Sequence, residues 1–98
     1  MIKYLKDEKF EDEIKDGVVL VDFYADWCGP CQRMGRILEE MDNEKILKIN
    51  TDEHQELAVS FGVMSIPTMI LFKNGVEVSK KVGLMSKEEL TEWISSNK

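Results

Sequence analysis

The stretch Val18-Val19-Leu20-Val21-Asp22-Phe23-Tyr24-Ala25-Asp26-Trp27-Cys28-Gly29-Pro30-Cys31 decides how this chain reads. Its first seven residues are nearly all apolar and largely β-branched, the pattern of a strand covered on both faces, as in parallel sheets. Its end holds both cysteines of the sequence, two residues apart. Beyond them Met34, Ile37, Leu38 and Met41 recur at i, i+3, i+4 and i+7, which predicts an amphipathic helix ending around Asp42-Asn43. Lys45 to Asn50, with Ile46, Leu47 and Ile49, predicts a second, shorter strand. Strand, helix, strand over roughly thirty residues is a βαβ unit with a right-handed crossover.

Reading outward from that unit, Ile2 to Leu5 suits a short first strand. Asp7 stands where a helix cap would, and Phe10 and Ile14 share one face of a helix ending near Gly17. Downstream, Thr51 or Asp52 is placed to cap a third helix carrying Leu57, Ala58 and Phe61, with Gly62 as its stop. Pro67 to Lys73 and Val76 to Val82 flank Asn74-Gly75, the signature of a two-residue type I′ hairpin. Ser86-Lys87-Glu88-Glu89 is a capping box ahead of a last helix whose inner face is Leu90, Trp93 and Ile94. The order βαβαβαββα predicts an α/β fold, with helices on both faces of a mixed sheet. In such sheets chemistry gathers beyond the carboxyl ends of the strands, where Cys28 falls.

The chain has 98 residues, which predicts one domain over 1–98 with a modest core. Thirteen basic against nineteen acidic side chains give a net charge of −6, which argues against nonspecific nucleic-acid binding and against anionic membranes. The acid between Asp7 and Asp16 reads as a solvated helix face. Charge interrupts Met1 to Asp7 before an apolar run develops, so no signal peptide is expected, and no stretch reaches the ~20 apolar residues of a membrane span. A cytoplasmic location is therefore expected. In a reducing compartment a close cysteine pair is catalytic or metal-binding more often than structural.

A thiolate, not a thiol, is the reactive species. If a helix begins near Pro30, Cys28 lies at its mouth, where unpaired N–H groups and the positive dipole end favour a negative sulfur. Gly29 permits the tight turn, and Pro30 costs little in a first helical turn. Arg33 would add positive charge. Cys28 is thus expected to attack, and the more covered Cys31 to resolve the mixed disulfide. Two other readings stand beside this one. Zinc would need four ligands, and only His54 is left to join the cysteines. A purely structural disulfide is the other. Asp22 sits in an apolar run, where burial raises a carboxyl pKa, unless it is solvated at a strand end or paired with a lysine.

The segment Val21 to Cys31 resembles the active-site block of the thioredoxin family. The similarity continues through Lys48-Ile49-Asn50-Thr51-Asp52, Ile66-Pro67-Thr68, Phe72-Lys73-Asn74-Gly75 and Val82-Gly83, in matching order over almost the whole chain. The resemblance implies the thioredoxin fold, a central mixed sheet flanked by four helices. It implies a cis Ile66-Pro67 bond against the cysteine pair. It implies that Asp22 lies beneath the disulfide as proton acceptor for Cys31. Lys48 matches a family lysine near that carboxylate, which would pair with Asp22 and moderate its pKa; a surface lysine at a strand end is nearly as strong a reading. Trp27, Gly29, Pro30, Ile66, Pro67 and Gly83, with Met64 and Leu84, would form the partner-binding rim. There an extended segment pairs with the backbone before the proline. Trp27 has a core reading as well, Trp93 is expected in the core, and His54 on a helix surface.

The implied activity is reduction of protein disulfides through a redox-active Cys28–Cys31 pair, by a monomeric electron carrier that thioredoxin reductase recharges. NADPH is then the ultimate donor, and no cofactor binds this chain, which lacks a Gly-x-Gly-x-x-Gly motif. A dedicated partner of one enzyme, an oxidant-leaning variant and a thiol-independent binding module are the competing functions. Three departures from the family pattern stand out. Gly35-Arg36 occupies the region of a helix-bending proline, Tyr24 stands where tryptophan is common, and Met64-Ser65 replaces a common Arg-Gly.

Overall fold

The buried run becomes the central strand of a five-stranded sheet in the computed structural model, which describes residues 1–98. In chain order the elements are β1 (Ile2–Tyr4), α1 (Phe10–Ile14), β2 (Val18–Tyr24), α2 (Gly29–Glu39), β3 (Ile46–Asn50), α3 (Gln55–Ser60), β4 (Thr68–Lys73), β5 (Val76–Val82) and α4 (Lys87–Ser96). The strands lie in the order β1-β3-β2-β4-β5. β1 and β2 both run parallel to β3, while β4 is antiparallel to β2 and β5 to β4. This is the expected α/β order and the mixed sheet with four helices.

Alternation along the strands sorts the core into two layers. Val19, Val21 and Phe23 of β2 pack with Phe10 and Ile14 of α1, Ala58 of α3, and Ile49, Ile70 and Phe72. The alternate residue Leu20 packs with Met34 and Leu38 of α2, Leu90, Trp93 and Ile94 of α4, and Ile46, Met69 and Leu71. So α1 and α3 cover one face, α2 and α4 the other. Each fully buried Leu or Ile in these layers contributes roughly 1.5–3 kcal/mol. Asp22 lies two residues beyond Leu20 and shares its face, so its carboxylate faces the α2 side of the sheet.

The hairpin forms at Asn74-Gly75, where φ is +50° and +85° as a type I′ turn requires. The capping box forms too: Ser86 Oγ accepts from Glu89 N at 3.1 Å, and Glu89 Oε1 accepts from Ser86 N at 3.0 Å. Several boundaries differ from expectation. α1 starts at Phe10 with Lys9 at its N-cap, so Asp7 caps nothing. α2 ends at Glu39, because the next N–H groups make i−3 bonds: Glu40 N–H donates to the Ile37 carbonyl at 3.1 Å and Met41 N–H to the Leu38 carbonyl at 3.0 Å. α3 starts after His54, and neither Thr51 nor Asp52 caps it. Thr51 Oγ1 donates to the Tyr24 carbonyl instead, and the Asp52 carboxylate accepts from the Trp27 indole. No helix is long and apolar enough to cross a membrane.

Candidate active site

The chain leaves β2 at Tyr24 and enters α2 at Gly29, and both sulfurs lie at that junction. A disulfide joins Cys28 and Cys31, whose Cα atoms are 5.2 Å apart. Cys28 is the N-cap of α2 in extended conformation, with Gly29 and Pro30 as the first two helical residues. The Cys31 N–H points at Cys28 Sγ from 3.2 Å. One of the unpaired donors at the helix start is therefore aimed at the sulfur expected to carry charge. Cys28 is 5% exposed and Cys31 3%, so burial alone hardly separates them. What separates them is position: one at the mouth of the helix, the other inside its first turn. Arg33, by contrast, stands exposed on α2.

Ala25, Tyr24 and Ile66 pack around the sulfurs. The Ile66-Pro67 bond is cis, and the Ile66 carbonyl oxygen lies 3.8 Å from Cys28 Sγ. A disulfide sulfur has no proton to give, so this is a contact here. When Cys28 is a protonated thiol the same oxygen is placed to accept a hydrogen bond from its S–H; once Cys28 ionises that oxygen is free again. Ile66 makes no backbone hydrogen bond, whereas the Pro67 carbonyl accepts from Gly83 N at 2.8 Å. The expected rim is thus largely brought together around Cys28, with an open edge at Ile66.

Trp27 is 72% exposed, which removes its core reading; its indole N–H donates to Asp52 Oδ2 at 3.0 Å. Trp27, Val63, Met64 and Ile66 line an open groove of about 400 Å³, and Met64 is 96% exposed at its edge. Leu84 does not join them: it borders a different cleft with Lys81, Met85 and Trp93. Trp93 is in the core, its indole N–H donating to Ser79 Oγ at 2.8 Å. His54 is not a free surface residue, since Nε2 lies 3.1 Å from the Leu5 carbonyl oxygen. No group of three or more His, Cys, Asp or Glu is placed to hold a metal ion.

Asp22 is fully buried, and neither of its oxygens has a hydrogen-bond partner. Burial pushes its pKa up to about 6; the nearby Lys48 ammonium, 3.5 Å from Oδ2, pulls the other way. The parallel register sets Asp22 directly beside Lys48 on β3, which makes Lys48 a buried partner and not a strand-end surface lysine. Lys48 and Cys31 both line an open cleft of about 380 Å³ beside α2. The Asp22 carboxyl, its pKa raised to about 6, thus lies on the same side of the sheet as Cys31. Sequence reasoning gave no place in that cleft to Tyr4 or Gly35, which both line it, and no hint of Asp52 as the anchor of Trp27.

Comparison with known proteins agrees with this geometry. The model of the family described as Thioredoxin matches residues 1–96. The thioredoxin of Bacillus subtilis (strain 168) is 47% identical, covering 93% of this chain and 92% of that protein. The thioredoxin of Chlamydia pneumoniae is 48% identical, covering 99% of each. Among solved structures, a mutant thioredoxin from Halobacterium salinarum NRC-1 is similar with a TM-score of 0.90 and 38% identity, covering 98% of this chain and 89% of that one.

Proposed function

The chain belongs to the thioredoxin family of thiol–disulfide oxidoreductases, and from that premise we propose that Cys28 is its attacking thiol and Cys31 its resolving thiol. The observation that carries the assignment is the Cys31 N–H aimed at Cys28 Sγ from the first turn of α2. In the dithiol state that donor and the helix dipole stabilise a thiolate at Cys28. The thiolate attacks one sulfur of a partner disulfide, forming a mixed disulfide and releasing the other partner sulfur as a thiolate. Asp22 takes the Cys31 proton, directly or through a water in the cleft. Cys31 then attacks Cys28 Sγ, the second partner sulfur leaves, and the Cys28–Cys31 disulfide closes. Two electrons pass from the dithiol to the partner, whose two thiolates take up protons.

The partner enters as an extended segment. Its backbone pairs with the free N–H and C=O of Ile66, beside Pro67 and Gly83, and its side chains meet Trp27 and Met64. Gly29 and Pro30, exposed at the helix mouth, leave that approach open. The chain works as one domain over residues 1–98 and as a monomer in the cytoplasm. A thioredoxin reductase with NADPH as ultimate donor returns the disulfide to the dithiol.

The test is trapping. With reduced Cys31→Ser protein and insulin, mass spectrometry should find a stable adduct at Cys28, and the Cys28→Ser protein should form none. Turnover by the Cys28→Ser protein would overturn the assignment. Capture of a partner protein by the Cys28→Ser, Cys31→Ser double variant as well as by wild type would instead favour a thiol-independent binding module.

A further inference from the structure

Lys48 is held by more than its ion pair. It is 8% exposed, and its ammonium stands 4.6 Å from the Tyr24 ring centroid and 5.6 Å from that of Tyr4. The two rings meet edge to face, with centroids 6.2 Å apart. From the α2 side Gly35 leaves room: a Cβ there would lie 3.3 Å from Nζ. The sheet register explains the cluster. Tyr4, Lys48 and Asp22 are direct neighbours across β1, β3 and β2, and Tyr24 follows Asp22 two residues along the same face of β2.

We propose that Tyr4 and Tyr24 are positioning residues, their ring faces holding the Lys48 ammonium against Asp22. A cation over an aromatic face is attracted by the ring quadrupole, and more so when partly desolvated. Without those faces the flexible lysine stem would carry its charge outward, since ammonium groups seek water. The cleft offers such an exit, and its other charged groups are Asp26, Arg36 and Glu39, all exposed. None of them changes in the variants below. Lys48 is the charge that opposes the effect of burial on Asp22, so its withdrawal makes the carboxyl harder to ionise. If Asp22 serves Cys31 as proposed above, the two tyrosines also govern the second step of exchange.

The experiment titrates the Asp22 carboxyl carbon by NMR in the oxidised protein. Tyr4→Leu should move its midpoint upward by about half a pH unit. Tyr4→Phe, which keeps the ring face, should leave it in place. In a Lys48→Met background Tyr4→Leu should do nothing. Tyr24→Leu is the second variant, read the same way. A midpoint that stays or falls in both leucine variants overturns the proposal, as does a shift that persists without Lys48, which would mean altered solvent access. The pH profile of mixed-disulfide resolution separates the two assignments. A shifted carboxyl with an unshifted profile supports the tyrosine positions and removes Asp22 from the chemistry.

Discussion

Replacing Asp22 with Asn should abolish a pH-dependent weakness of the fold. In the folded protein the carboxyl titrates at about 6, against 3.8 for an ordinary aspartate, because it is buried with no hydrogen-bond partner. The sign follows from linkage. Below about pH 3 the group is protonated whether folded or unfolded, and burial costs nothing extra. Between about pH 4 and 6 the unfolded chain ionises while the folded one holds its proton, so stability falls as pH rises. Above that both are ionised and the full penalty persists. At about 1.4 kcal/mol per pH unit, the rise from 3.8 to about 6 amounts to roughly 3 kcal/mol. Asn has nearly the same shape and presents Lys48 with a neutral group, as the protonated acid does. The unfolding free energy of wild type minus that of Asp22→Asn should therefore drop by roughly 3 kcal/mol from about pH 3 to 7. Urea titrations of the oxidised proteins, followed by tryptophan fluorescence, measure it. Parallel curves across that range would refute the reasoning.

Two further substitutions test the scaffold. Ser86→Ala removes one half of the α4 capping box and should lower stability by about 1 kcal/mol in thermal melts, with insulin reduction unchanged. Leu38→Ala empties a buried site between α2 and the sheet and should cost about 2–5 kcal/mol in urea, with the size set by how far Met34 and Met41 collapse inward.

The parts of the fold that were legible in the sequence are those fixed by local chemistry. The run Val18–Tyr24 had to be covered on both faces, Asn74-Gly75 had to turn left-handed, and Ser86 with Glu89 satisfied each other's backbone. The errors arose where a long-range partner claimed a locally attractive group. Asp52 looked like a cap, but Trp27 holds its carboxylate, and the Asn50 side chain accepts from its N–H at 2.9 Å. His54 looked like a surface residue, but the Leu5 carbonyl meets it from 49 positions away. In the site, the cysteines were legible from their spacing and Asp22 from its apolar surroundings. Tyr4 was not, because nothing local says that β1 pairs with β3 and sets its ring beside Lys48.

The asymmetry of the two sulfurs is tested most directly by alkylating the reduced protein with iodoacetamide across pH and mapping the labelled peptides. Cys28 should react first, with a midpoint below the ~8.5 of a free cysteine, and Cys31 should lag well behind it near neutrality. Equal, slow labelling of both sulfurs would contradict the account.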